Sequence, residues 1–122
     1  MGPWRVLLHD DFAIKVSLMP VALQDELLAF ASHLSRYGPQ LGRPQVDTLK
    51  GSAFANMKEL RFNWQGGVWR VAFAFDPKRQ AVLLVGADKR AADQVRFYQR
   101  LIRIADSRYS EHLAGGSGGQ VT

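Results

Sequence analysis

A chain of 122 residues with 47% hydrophobic and 22% charged side chains has the composition of one globular domain with a core of its own. The absence of cysteine excludes disulfides and thiolate metal sites, and it favours a reducing, cytoplasmic location. No apolar run approaches the roughly 20 residues that a membrane-spanning helix needs, so we expect no membrane-embedded function and no membrane partner.

The net charge of +5 is concentrated in one part of the chain. Residues 43–103 hold twelve basic and five acidic side chains, whereas the segments before and after them each carry a net charge of −1. Such a basic block is typical of a protein that binds a polyanion, most commonly a nucleic acid. The alternative interpretation is a solvated basic surface that only maintains solubility.

The N-terminal half contains a strand, a helix and an irregular segment. Residues 4–8 predict a short strand. A helix is predicted to begin near Pro20 and to end before Gly38 and Pro39, since a proline suits the first turn and glycine the end. Its apolar residues recur at helical spacing: Leu23, Leu27, Phe30, Ala31 and Leu34. Residues 40–55 are rich in glycine and proline and are predicted to be mostly irregular.

Residues 57–75 predict an antiparallel β-hairpin with a turn near residues 63–67. Apolar residues alternate in both strands, with Trp69, Val71 and Phe73 on one face of the second strand. If the apolar sets of both strands face one core, the register places Arg61 and Arg70 together on the other face. We expect that face to be exposed to solvent.

The C-terminal part is predicted to form a turn at residues 76–80, an apolar central strand at 81–87 and a helix over 91–112. The inner stripe of this helix is predicted to consist of Val95, Tyr98, Leu101, Ile102, Ala105 and Tyr109. The order is β-α-β-β-β-α. This order indicates an α+β domain over residues 1–113, with helices packed on one face of a small, mostly antiparallel sheet. Residues 114–122 are rich in glycine and serine and are predicted to be a disordered tail.

The paired arginines are the strongest functional signal in the residues themselves. Two adjacent guanidinium groups on a sheet repel each other unless an anion lies between them, so the pair Arg61 and Arg70 suits a phosphate. The strand at 81–87 should end beside the hairpin, and we therefore expect Lys89 to converge with the two arginines. Arg90 beside it is a further candidate for nucleic-acid binding, and the alternative is an exposed basic pair at a helix start.

Aromatic and metal-binding candidates are fewer. Phe97 and Tyr98 cannot easily both face inward, so Tyr98 either packs in the core or stacks on a base. The three histidines lie in separate elements without ligand spacing, and no metal or cofactor is expected.

The ordered motifs resemble those of a known family. They are Val46-Asp47-Thr48-Leu49-Lys50-Gly51, Asn56-Met57-Lys58-Glu59-Leu60-Arg61-Phe62, Val68-Trp69-Arg70-Val71-Ala72-Phe73-Ala74-Phe75-Asp76-Pro77, Asp88-Lys89 and Arg96-Phe97-Tyr98. Together they are similar to the phage-derived Gp49-like, HigB-type toxins of the RelE/ParE superfamily of toxin–antitoxin modules. The resemblance covers roughly residues 4–112.

This resemblance implies a RelE-like fold and a specific activity. The activity would be ribosome-dependent endonucleolytic cleavage of mRNA, which makes the chain an endoribonuclease that inhibits translation. The implied partners are the ribosome, mRNA and a neutralising helix-turn-helix antitoxin of HigA type, through which DNA would be contacted only indirectly.

Metal-independent RNA cleavage requires activation of the 2′-hydroxyl, stabilisation of the phosphorane charge and protonation of the leaving oxygen. Arg61 and Arg70 suit the second role because they stay protonated. Lys89 is a candidate acid, or a base if neighbouring cations lower its pKa. Other candidates remain open: Lys50 and Lys58 for RNA binding or proton transfer, and Glu59 or Asp47 as the base.

A rival function comes from the same superfamily. A non-catalytic toxin of ParE kind would inhibit a protein target such as gyrase by occlusion. That function does not require a basic sheet face. A plain RNA-binding module is a third possibility.

Overall fold

The computed structural model describes residues 3–90, 93–115 and 118–121. Its elements follow the order β1 (Arg5–His9), α1 (Asp10–Ser17), α2 (Val21–Tyr37), a 3-10 turn (Gly38–Gln40), β2 (Val46–Thr48), β3 (Met57–Trp64), β4 (Gly67–Phe75), β5 (Gln80–Asp88), α3 (Gln94–Leu113) and β6 (Gly118–Gln120). The helix after Pro20 and the hairpin are confirmed. Helix α1 is an addition to the expected elements, and the predicted irregular segment contains β2.

The strands form one sheet in the order β2-β3-β4-β5-β1-β6. β1 and β5 are parallel, and every other neighbouring pair among the described strands is antiparallel. The α+β class with a mostly antiparallel sheet, and with it the expected RelE-like architecture, is confirmed. None of the helices among the described residues has the length and hydropathy needed to cross a bilayer.

The helices cover both faces of the sheet, so the expectation that they share one face is wrong. α1 and α2 cover the face that contains Leu60, Val71 and Phe73. α3 covers the opposite face, where Leu101, Ala105 and Tyr109 pack against apolar residues of all three central strands, such as Met57, Ala72, Ala74, Val82 and Leu84. Because β4 carries small apolar residues on its second face, that face also needs cover from water.

The β3–β4 hairpin turns at Gln65 and Gly66, which both have positive φ angles of 48° and 76°. Two consecutive residues of this kind match the tight turn that preserves the twist of the strands. Its register pairs Leu60 with Val71 and Arg61 with Arg70. The predicted side-chain alternation of both strands is therefore confirmed.

A β-bulge interrupts the pairing of β4 with β5. The register shifts between Ala72 and Phe73, which pair with Val85 and Leu83. As a result the consecutive residues Leu84 and Val85 both pack on the α3 face. Such an extra residue changes which face the following side chains point to.

The C-terminal segment differs from the predicted disordered tail. Gly118–Gln120 pairs antiparallel with β1, and the Val121 amide donates to the Val6 carbonyl at 2.8 Å. Without β6, β1 would be an edge strand with unpaired backbone groups, and a glycine-rich segment can satisfy these without a large side chain. The predicted tail also includes residues 116, 117 and 122, which lie outside the described residues.

Candidate functional site

Arg61 and Arg70 are direct neighbours across β3 and β4, on the same sheet face, as predicted. The prediction that this face is open to solvent is wrong for Arg70. The N-terminal part of α3 passes over it, and Arg70 is only 6% exposed. The sequence pattern identified the shared face but not the helix that covers part of it.

Arg70 lies in a buried hydrogen-bonded network with Glu59 and Tyr98. The Tyr98 hydroxyl donates to Glu59 Oε1 at 2.9 Å and accepts from Arg70 Nε at 3.3 Å. Arg70 Nε is 3.4 Å from Glu59 Oε1, and its Nη1 donates to the Trp69 carbonyl at 2.9 Å. Burial and the hydrogen bond to Glu59 raise the pKa of Tyr98. This network fixes the orientation of the Arg70 guanidinium.

Lys89 joins the same group, as predicted. Its Nζ lies 5.6 Å from the centre of the Tyr98 ring and donates to Gln94 Oε1 at 3.1 Å. Burial, followed by the charges of Arg70 and Arg61, lowers the pKa of Lys89, and the charge of Glu59 opposes this shift. We call Arg61, Arg70 and Lys89, with Glu59 and Tyr98, the cationic cluster.

Arg61 is the more accessible of the two arginines in the cationic cluster. Its side chain is 38% exposed, and its Nη1 lies 3.9 Å from Asp47 Oδ2. Asp47 is bound more closely by Arg43, whose Nη2 is 2.8 Å from the same oxygen. Hydrogen bonds from Arg43 and from the Thr48 amide lower the pKa of Asp47. A carboxylate stabilised in this way is a weak base, which argues against Asp47 as the proton acceptor.

The other predicted RNA-binding residues are distributed more widely. Lys58 lies on the opposite sheet face from Arg61, because it precedes Glu59 in the alternation of β3. Lys50 is exposed on the loop after β2, which is held against α3 by hydrogen bonds to Asp106 from Ser52 and the Ala53 amide. Arg90 is 3.5 Å from Asp88 and lies against the turn at Gly66. The structure therefore does not bring these three lysine and arginine side chains into the cationic cluster.

One group of possible metal ligands occurs elsewhere in the described chain. His9, Asp11 and Glu111 have ligand atoms within 4.8 Å of one another. His9 Nδ1 accepts from the Asp11 amide at 3.2 Å, and its Nε2 is 3.1 Å from Glu111 Oε1. Both ring nitrogens thus have partners within the protein. The group is near the C-terminal end of α3, whereas Tyr98 is in its first turns.

The cationic cluster has the chemistry of an anion site with a group that can exchange a proton. Two permanently charged guanidinium groups stabilise negative charge, and Arg70 is held in place before any ligand arrives. Lys89 holds its proton less tightly than an ordinary lysine. Glu59 is 9% exposed and engaged by Tyr98 and Arg70, which makes it an orienting group rather than a free base.

Sequence reasoning did not assign a role to the arginines on the outer side of α3. Arg96 and Arg100 are exposed and line a groove between α3 and β5, together with Arg108. Their spacing of four residues places Arg96 and Arg100 on one helix face, and this was the signal available in the sequence.

Comparison with known proteins identifies the family. Residues 15–110 match the family model described as phage-derived protein Gp49-like (DUF891), and the chain belongs to this family. It is 51% identical over 86 residues to "Putative toxin HigB3" of Mycobacterium tuberculosis, which covers 70% of this chain and 73% of that protein. It is 48% identical over 82 residues to "Putative toxin HigB2" of the same organism, covering 66% of this chain and 40% of that protein. No solved structure matches the chain. The predicted relationship to Gp49-like, HigB-type toxins is confirmed.

Proposed function

We propose that this protein is the toxin of a toxin–antitoxin module and that it inhibits translation by cutting mRNA on the ribosome, in the cytoplasm. It would be an endoribonuclease neutralised by a helix-turn-helix antitoxin. The toxin assignment is supported by the HigB-named relatives. The nuclease assignment is supported by the cationic cluster, in which Arg61 and Arg70 share one sheet face and lie close enough to Lys89 for their charges to lower its pKa.

The cleavage reaction would be a transesterification without a metal ion. The 2′-oxygen attacks the adjacent phosphorus, the bond to the 5′-oxygen breaks, and a 2′,3′-cyclic phosphate and a 5′-hydroxyl result. Arg61 and Arg70 would stabilise the charge that accumulates on the phosphoryl oxygens; one such donor is typically worth about 2.7–4 kcal/mol.

Lys89 is our candidate for proton transfer. Its lowered pKa increases the fraction of neutral amine that can accept the 2′-hydroxyl proton at neutral pH, and the resulting ammonium can later donate to the 5′-oxygen. Among the groups left open by the sequence, Asp47 is paired with Arg43, and Lys58 lies on the other sheet face. The ribosome would supply the alignment of the RNA backbone, which a few cations cannot provide alone.

The test is a primer-extension map of cellular mRNA after brief expression of each variant. The wild type should produce discrete cuts within translated messages. Lys89→Gln and Lys89→Arg should both reduce cutting by about 10²-fold or more, because neither side chain can exchange a proton near neutral pH. Arg61→Gln should reduce cutting by about 10²–10³-fold.

Lys78→Gln is the matched control, since Lys78 is exposed on the turn between β4 and β5. This variant should cut like the wild type. Full activity of Lys89→Arg would show that Lys89 contributes only a charge. Intact messages accompanied by DNA damage in the wild type would support the ParE-like rival and reject the nuclease.

A further inference from the structure

A basic groove runs along α3 beside the cationic cluster. It has a volume of about 690 Å³ and lies between α3 and the last part of β5. Its lining includes four basic side chains, Lys15, Arg96, Arg100 and Arg108. The three arginines extend over twelve residues of helix, which corresponds to about 18 Å. The groove is thus long enough to follow several linked anionic groups.

The cations at the start of this groove are available to a ligand. Arg96 and Arg100 are exposed, and neither forms an ion pair with a carboxylate of the described residues. Arg108 is anchored by a hydrogen bond from Nη1 to the Leu84 carbonyl at 2.8 Å. Lys15 is exposed on α1 and extends the basic lining beyond α3.

The two carboxylates in the groove already have partners. Asp88 Oδ1 accepts from the backbone amides of Val68 and Arg90, both at 2.9 Å. Asp93 caps α3 by accepting from the amides of Val95 and Arg96 at 3.0 and 3.1 Å. These backbone amides are neutral and leave both carboxylates charged, so the four basic and two acidic side chains of the lining give the groove a net charge of +2.

The groove continues directly from the cationic cluster. Ala87 lines the groove and is the cross-strand partner of Arg70. Phe97 also lines it, and the Phe97 ring centre is 5.3 Å from that of Tyr98. Basic side chains beside an aromatic ring and an apolar floor are the combination used to bind single-stranded nucleic acid.

We infer that the α3–β5 groove is a second subsite, which binds the sugar-phosphate backbone of the RNA strand next to the phosphate that is cut. This inference rests on the proposed function. Arg96 and Arg100 contact successive phosphates of the flanking RNA, and Phe97 contacts a sugar or base. The subsite holds the strand so that the scissile phosphate stays at the cationic cluster.

The test compares binding of two fluorescent 2′-O-methyl oligouridylates, of about four and about twelve nucleotides, which cannot be cleaved. The variant is Arg96→Gln with Arg100→Gln, which keeps helix-forming side chains of similar length. The control is Arg36→Gln with Lys78→Gln, which removes the same charge from exposed positions on α2 and the β4–β5 turn. Anisotropy is measured over a range of salt concentrations, and mRNA cleavage is measured in a translation extract.

We expect the groove variant to bind the longer RNA at least about tenfold less tightly than the wild type. The slope of log K against the logarithm of the salt concentration should be smaller in magnitude by about 1.4, because each of the two lost phosphate contacts contributes about 0.7. The groove variant should bind the shorter RNA almost as tightly as the wild type does. The control variant should bind both RNAs almost as tightly as the wild type does. Equal loss in the groove and control variants, or wild-type protein that binds both lengths equally, overturns the subsite. Normal binding with lost cleavage also overturns it, since the groove would then contact the ribosome. Cleavage by the wild type in the same extract reports on the proposed function separately.

Discussion

Replacing Arg70 by methionine would remove one half of a buried ion pair. Arg70 is 6% and Glu59 9% exposed, so the remaining carboxylate would stay in a largely dry environment. Loss of one partner of such a pair typically costs about 3–5 kcal/mol. The Tyr98 hydroxyl still donates to Glu59 at 2.9 Å, which favours the lower end, about 3 kcal/mol.

A second substitution separates the stability effect from the functional one. Glu59→Gln combined with Arg70→Met leaves no unpaired charge, and the new amide oxygen can still accept from Tyr98. We expect the double variant to lie within about 1 kcal/mol of the wild type in its free energy of unfolding. It should nevertheless fail to cut mRNA, because the anion-binding guanidinium is gone.

Urea unfolding followed by tryptophan fluorescence measures these free energies, provided that the slope m is the same in all variants. With a total stability of about 5–15 kcal/mol for a typical domain, a loss of 3 kcal/mol shifts the midpoint clearly. The reasoning would be refuted by an Arg70→Met variant as stable as the wild type. It would also be refuted by a double variant no more stable than the single one.

Two further predictions concern stability away from the site. Burial alone would raise the pKa of Asp76, but hydrogen bonds from His112 and Gln80 outweigh it and lower the pKa. The stabilisation from ionised Asp76 is therefore present above about pH 4 and lost as the pH falls through its lower folded-state pKa. Asp76→Asn should be less stable than the wild type at pH 7, and urea midpoints should converge in acid; a constant difference would contradict this. Gly86→Ala would place Cβ 3.0 Å from Val71 and 3.1 Å from Phe12, so overpacking should cost about 1–3 kcal/mol, and an unchanged Tm would argue against it.

The hairpin illustrates what side-chain alternation can predict. Val71 and Phe73 alternate with Arg70 and Ala72, and this period alone placed Arg61 and Arg70 on one face. The same pattern does not report whether a distant helix covers that face. Arg70 was expected to be exposed because both helices were assigned to the other sheet face. Its burial depends on Glu59 and Tyr98, which come from two other elements.

The helix positions show a similar limit. The periodicity of α3 identified Leu101, Ala105 and Tyr109 as an inner stripe, and all three are buried. Val95 was assigned to the same stripe, but it is 66% exposed. At the start of α3 the side chain that faces the sheet is Tyr98, whose hydroxyl donates to Glu59 in the cationic cluster. The pairing of Gly118–Gln120 with β1 was not predictable from composition, because composition indicates only how much side-chain surface a segment can bury and β6 is held by backbone hydrogen bonds.

The bulge in β5 was also hidden from sequence reasoning. Residues 81–87 are apolar throughout, and a strand that is covered on both sides has no alternation from which a change of phase could be read. The groove arginines were visible as a spacing on α3. Their relation to the cationic cluster needed the pairing of Ala87 with Arg70.

The extra residue of the β-bulge in β5 determines which charged side chain lies beside Arg61 and Arg70. With uninterrupted pairing, Gly86 and Asp88 would face α3, and an acidic side chain would be presented to the cluster while Lys89 turned towards α1. Because of the shift, Ala87 and then Lys89 point towards α3 and the cationic cluster, and Asp88 lies on the same sheet face as Trp69. Deletion of Leu84 or Val85 would thus remove the bulge and leave Lys89 beside the guanidinium groups, whereas deletion of Gly86 would exchange that amine for the carboxylate of Asp88.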